Sequence, residues 1–151
     1  MSTEATRPTA KKAAAPRKKA KTEKETLREE LVAKLSANFS VTPEVATHEN
    51  LYNALALVLR DRMRTQRVKY ISRAHKENAK QVYYMSMEFL MGRSLKNTLF
   101  NLNLTEDAKE LMAEYGVKLE TLYALEPDAG LGNGGLGRLA NGTARFLVAG
   151  R

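Results

Sequence analysis

The chain has 151 residues, enough for one modest domain, and carries a net charge of +8. With no Cys, and with His48 and His75 as its only histidines, it cannot form a disulfide framework or a thiolate metal site, and no H-E-x-x-H pattern occurs, so no metal is expected. No apolar run approaches the roughly 18 residues needed to cross a bilayer, so the expectation is a cytoplasmic protein with no membrane partner.

The charge is concentrated at the front. Residues 1–24 hold eight basic side chains against Glu4 and Glu23, whereas the remainder holds 17 basic and 15 acidic residues. This first stretch is Lys, Ala, Thr and Pro with almost no large apolar side chain. It buries too little to offset its ordering entropy and is predicted to be disordered. It reads either as a solvated leader or as a weak polyanion contact through counterion release. The near balance of the rest argues against nucleic acid as the main partner. No apolar segment follows the charges, which disfavours a signal peptide; a transit peptide stays open, although Ser is scarce.

From Glu25 the rhythm turns helical, with Leu27, Leu31, Val32 and Leu35 in register. Gly is absent from the first 91 residues, which favours long helices. Thr42-Pro43-Glu44 reads as a helix start: a capping hydroxyl, Pro at the first helical position, and an acid at the positive end of the dipole. Leu51, Leu55, Val58 and Leu59 mark one buried stripe, and the charged stretch Arg60–Arg67 is expected on the surface. Val82-Tyr83-Tyr84-Met85-Ser86-Met87 breaks the helical period and reads as a buried strand. A helix is predicted over Leu95–Leu102. Thr105 is expected to cap another over Glu106–Tyr115, with Gly116 in the left-handed position behind it. A short helix is predicted over Leu119–Ala124. There are no internal repeats.

Residues 130–137 read Gly-Leu-Gly-Asn-Gly-Gly-Leu-Gly, five glycines in eight positions. Glycines let backbone N–H groups approach an anion, and a helix starting within Gly134–Ala140 would add its positive end, giving a phosphate cradle. A dinucleotide fingerprint competes: Gly130, Gly132 and Gly135 satisfy G-x-G-x-x-G, as do Gly132, Gly134 and Gly137. That motif should follow a strand, whereas Glu126-Pro127-Asp128 is turn chemistry. A Walker A loop is excluded, because no Gly-Lys-Ser/Thr follows. A plain linker is the third reading, against which stand the interleaved Leu131, Leu136 and Leu139.

The longer strings carry more. Tyr83-Tyr84-Met85-Ser86-Met87-Glu88-Phe89-Leu90-Met91-Gly92-Arg93-Ser94-Leu95 resembles the Y-Y-x-S-x-E-F-x-x-G-R-x-L motif of the glycogen, starch and maltodextrin phosphorylases. Asn101-Leu102 stands where that family has N-L. Asp128 to Ala140 is similar to its D-A-G-L-G-N-G-G-L-G-R-L-A block, and Leu59-Arg60-Asp61 resembles its R-D helix. The resemblance covers about residues 40–140. It implies an α-glucan phosphorylase of the GT-B glycosyltransferase type, with its active site between two domains. Such an enzyme phosphorolyses α-1,4-linked glucan with inorganic phosphate, giving glucose 1-phosphate with retention. The resemblance also implies pyridoxal phosphate, acting through its phosphate group, and a homodimer when the protein is complete. It places Gly134 and Gly135 where backbone amides face the phosphate, Asn133 and Leu136 on the glucose side, and Glu88, Gly92 and Arg93 on the cleft floor. Glu88 could instead form a structural ion pair with Arg93 or another base, and Arg138 could simply steady the helix start.

After Ala140 the chain departs from the family's A-C-F-x-D-S pattern, and Gly142 should weaken the early helix by roughly 1 kcal/mol against Ala. The expectation is therefore a fragment: a basic tail (1–24), an amino-terminal phosphorylase segment (25–140) and a divergent or truncated end (141–151). It should be mainly α with one or two short strands, an incomplete piece of the α/β amino-terminal domain. The cofactor lysine and opposing domain are missing from it, so no catalytic residue is assigned and the chain alone is expected to be inactive, with core-facing surface exposed. The alternatives from other classes are a nucleic-acid module resting on Lys11–Lys24 and a dinucleotide-binding enzyme resting on the glycine loop.

Overall fold

The computed structural model describes residues 21–132 and 134–149, with side chains through residue 142. Six helices and one two-stranded ribbon are formed among these residues: α1 (Glu23–Phe39), α2 (His48–Lys76), β1 (Phe89–Leu90), α3 (Leu95–Asn101), α4 (Thr105–Glu114), α5 (Leu119–Leu125), β2 (Gly130–Leu131) and α6 (Gly134–Ala149). The expected mainly helical character is observed.

Helix α1 starts inside the stretch 1–24 that composition predicts to be disordered; residues 1–20 lie outside the described residues. The start is a capping box. The Thr22 hydroxyl accepts from the Glu25 N–H at 3.2 Å, and the Glu25 carboxylate accepts from the Thr22 N–H at 2.9 Å. The Thr22 N–H, and after it the Thr22 hydroxyl, hold the Glu25 carboxyl below its ordinary range. The Lys24 ammonium adds ion pairs to Glu110 and Glu114 on α4, at 2.7 and 2.9 Å.

The second helix does not begin at Thr42. The Thr42 hydroxyl bonds the Glu44 carboxylate, the Val45 N–H closes a turn on the Thr42 carbonyl at 3.2 Å, and α2 starts at His48. Thr47 is the cap, its hydroxyl accepting from the Asn50 N–H at 3.2 Å. Thr105 is not a cap either. Asn103 takes a left-handed φ of 56°, Leu104 turns into the core, and Thr105 becomes the first residue of α4. Its hydroxyl is buried with no partner among the described residues. Gly116 does adopt the expected left-handed conformation, with φ 73°.

Leu27, Leu31 and Leu35 recur along one face of α1 and are fully buried against the stripe Leu51, Leu55, Val58 and Leu59 of α2. Leu99 of α3, Leu111 and Met112 of α4 and Leu122 of α5 complete the core. Around its edge, Arg62 bridges α2 to Glu30 and Glu23 of α1, and Lys34 meets Asp61 at 2.6 Å. Such partly exposed pairs add little individually; burial of the leucines holds the bundle. Leu55→Ala should therefore lower unfolding stability by about 2–5 kcal/mol, read as a shift in urea midpoint with an unchanged slope.

The run Val82–Met87 is not a buried strand. Val82, Tyr83, Met85 and Met87 are 75–100% exposed, and the ladder is confined to Phe89–Leu90. A strand needs a partner for its N–H and C=O groups. Here β1 finds only the two residues of β2, pairing antiparallel as Phe89↔Leu131 and Leu90↔Gly130.

Candidate functional site

That short ribbon brings the two motif blocks together. Gly132 lies so close to Glu88 that a Cβ there would fall 2.6 Å from the Glu88 Cβ, and its φ is 149°, a conformation that favours glycine. One helical turn on, Gly137 is buried, and its missing Cβ would sit 3.3 Å from the Leu90 N–H nitrogen. Two of the five loop glycines are thus explained by close approach of the 88–90 backbone.

Gly130 pairs with Leu90 in the ribbon, whereas Gly134 and Gly135 open outward. Gly134 starts α6 with φ 82°, and no atom lies within 4 Å of a Cβ built at Gly134 or Gly135. Both are exposed, as is Leu136. A helix leaves its first amides without partners inside the helix and gathers partial positive charge there. The first turn of α6 can therefore present the Gly135 N–H to an anion at a place where side chains do not crowd it. Asn133, expected beside the glucose, lies outside the described residues.

Glu88 is half-buried, its stem against Gly132, and its carboxylate forms no ion pair among the described residues. The structural pairing with Arg93 is not formed there: Arg93 is exposed and Gly92, left-handed at φ 66°, separates it from β1. Arg138 is also exposed on α6. Glu88 and the glycine turn are adjacent; Gly92 and Arg93 lead from β1 into α3. Two grooves are formed elsewhere, one between α1 and α2 and one between α2 and α3, and neither is lined by residues 130–136.

One positioning residue has no signature in the sequence. The Glu126 carboxylate, just after α5, accepts from the Ser94 N–H at 2.7 Å and from the Leu95 N–H at 2.9 Å. It caps α3 from 31 or 32 positions away, where Ser94 makes no side-chain cap of its own. This clamps the end of the first block to the start of the second. Burial, and then the Glu126 charge, raise the neighbouring Tyr52 phenol above its ordinary range. Glu126→Ala should cost about 1–2 kcal/mol, within the range of lost helix caps, and Glu126→Gln less. Hydrogen exchange at Ser94 and Leu95 would show the loss directly.

The dinucleotide reading finds no support: β2 lies inside the Gly130-Gly132-Gly135 motif, and although it precedes Gly132-Gly134-Gly137 it is a two-residue strand paired antiparallel, not a strand of a parallel βαβ unit. The pyridoxal phosphate expected by resemblance also finds no holder here. Lys24 and Lys34, the partly covered lysines, are engaged with Glu110, Glu114 and Asp61, and the other described lysines are exposed. None is sequestered as a Schiff-base lysine requires.

No family profile matches the chain. Curated proteins do. The brain form of glycogen phosphorylase from Bos taurus is 46% identical over 96 residues, covering 64% of this chain and 11% of the relative. The glycogen phosphorylase of Chlamydia trachomatis is 39% identical over 116 residues, covering 77% of this chain and 14% of the relative. The muscle form from Homo sapiens is 44% identical over 96 residues, with 64% and 11% covered. The chain thus spans well under a fifth of the length of the relatives it matches. With identity of this level across most of its residues, the chain belongs to the glycogen phosphorylase family.

Proposed function

We propose that this chain is the amino-terminal segment of an α-1,4-glucan phosphorylase, contributing one wall of a cleft in which glucan and phosphate yield glucose 1-phosphate. The observation that carries this reading is the packing of Gly132 and Gly137 on residues 88–90, which joins the two motif blocks into one unit with the Gly134–Gly135 turn facing outward. In this reading the amides of Gly134 and Gly135 receive a phosphate oxygen, Asn133 and Leu136 border the glucose, and Glu88, Gly92 and Arg93 line the floor. The segment forms part of a GT-B amino-terminal domain. Pyridoxal phosphate, held by residues outside this chain, supplies the proton-transferring phosphate; the residues here bind and orient. The complete protein acts in the cytoplasm as a homodimer.

One wall cannot pre-organise the transition state. The purified chain, incubated with glycogen and phosphate and assayed by glucose 1-phosphate release, should show no turnover. Inserting residues 25–140 in place of the matching segment of the Chlamydia trachomatis relative should preserve phosphorolysis. Turnover by the isolated chain would refute the first expectation. A correctly folded chimera without activity would refute the assignment.

A further inference from the structure

Within the exposed run Val82–Met87 one side chain is half-buried. It is Ser86, with Met85 and Met87 exposed on either side of it. Its hydroxyl spans the bend at Met87 and engages both polar backbone groups of Glu88. The Glu88 N–H donates to Ser86 Oγ at 3.2 Å, and Ser86 Oγ donates to the Glu88 carbonyl at 2.9 Å. A hydroxyl carries one donor and two acceptor positions, so it serves both groups at once.

These two bonds fall where the ribbon meets the glycine loop. The ladder pairs Phe89↔Leu131 and Leu90↔Gly130, and one step further the register would set Glu88 opposite Gly132. At that step the Glu88 backbone is engaged by Ser86 and not by β2; a Ser hydroxyl offers the backbone a local alternative to ladder bonds. The close approach at Gly132 follows: Glu88 Cβ, Cγ and Cα lie 2.6, 3.0 and 3.1 Å from the place a Gly132 Cβ would take. Gly137 closes a further side, its Cβ position 3.6 Å from the Glu88 Cβ. The Glu88 stem is thus fixed by Ser86 through its backbone, and by Gly132 and Gly137 through contact.

The chemistry of the carboxylate selects its ligand. An ionised carboxylate only accepts hydrogen bonds, and Glu88 has no ion pair among the described residues. Beside an anion cradle it repels phosphate and suits a neutral partner rich in donors, which a glucan is.

We propose that Ser86 is a positioning residue for the glucan: by fixing the Glu88 backbone it holds the Glu88 carboxylate where glucan hydroxyls pass the glycine turn. This rests on the reading of the chain as one wall of a phosphorylase cleft. The position calls for a hydroxyl. Ala offers neither donor nor acceptor, so the Glu88 N–H and C=O turn to water and the stem keeps only its contacts with the two glycines. Thr offers both.

Two measurements test this. In the full chain, Ser86→Ala should speed hydrogen exchange at the Glu88 amide about tenfold, the loss of one hydrogen bond, while Ser86→Thr keeps the parent rate and Leu31 and Leu55 are unchanged in both. In the chimera, S86A should raise KM for glucan about tenfold, as for one weakened bond to a charged group, with KM for phosphate unchanged, and S86T should restore it. Once E88A has removed the carboxylate, adding S86A should change KM for glucan no further, because residues acting through one another are not additive. The proposal is overturned if the Glu88 amide exchanges alike in S86A and the parent chain, if KM rises equally for both substrates, or if the effects of S86A and E88A add. A parent chimera without activity refutes the phosphorylase reading instead, and exchange at Glu88 still decides whether Ser86 holds its backbone.

Discussion

Gly132→Ala should detach the glycine loop and α6 from residues 88–90 while leaving the helical core folded. The added methyl meets two obstacles. Its own backbone conformation, φ 149°, is one that L-residues avoid, at a cost of order 1–3 kcal/mol. It also lies 2.6 Å from the Glu88 Cβ and 3.1 Å from the Glu88 Cα. The second of these is backbone and cannot rotate aside. Against this stands a ribbon of two residue pairs, and an isolated two-stranded ribbon is marginal in water. The substitution therefore outweighs what holds the strands together.

The core of α1 to α5 shares none of these contacts, since its buried cluster is drawn entirely from Leu27 to Leu122. Hydrogen exchange should show Leu90 and Leu131 losing protection in the variant, while Leu31 and Leu55 keep theirs. Gly130→Ala is the control: its Cβ would meet Leu90 Cδ1 at 3.7 Å, an ordinary contact, with no positive φ. Equal protection in the two variants would show that the close approach at Gly132 does not organise the site.

These contrasts mark what the sequence discloses. Leu27, Leu31 and Leu35 announce α1, and Leu51 to Leu59 announce the buried face of α2, because helical spacing is a local record of which side is covered. Gly116 is legible for the same reason: a left-handed residue behind a helix is a local demand. Val82–Met87 is misread because an apolar run states a need for burial and not whether a partner strand exists to supply it. Thr42 and Thr47 are both competent caps; Glu44 takes the Thr42 hydroxyl, and only the placement of Leu51 and Leu55 on α1 decides between them. Glu126 is invisible because its amide partners are remote in sequence. The site divides likewise. Resemblance located both blocks, yet only geometry separates Gly132 and Gly137, which pack, from Gly134 and Gly135, which face open space.

That separation makes the second large effect testable on a single atom. Gly135→Pro, placed in the chimera with the Chlamydia trachomatis relative, should lower the rate of phosphorolysis about 10²–10³-fold, the loss typical of one amide donor to a developing oxyanion. Gly135 is the second residue of α6, within the first turn, where proline is tolerated because the amide has no partner inside the helix. No atom lies within 4 Å of its Cβ position, and the residue ahead of it, Gly134, has no Cβ for the ring to meet. The substitution thus deletes an N–H while keeping the helix start. Gly135→Ala keeps the N–H and supplies the comparison, since it adds a side chain without removing the donor. If the amide binds phosphate only in the ground state, Gly135→Pro should raise KM for phosphate with kcat unchanged; if it meets charge developing in the transition state, kcat should fall. A proline variant as active as the alanine variant, with α6 intact, would remove the amide of Gly135 from the reaction and leave the loop a packing element alone.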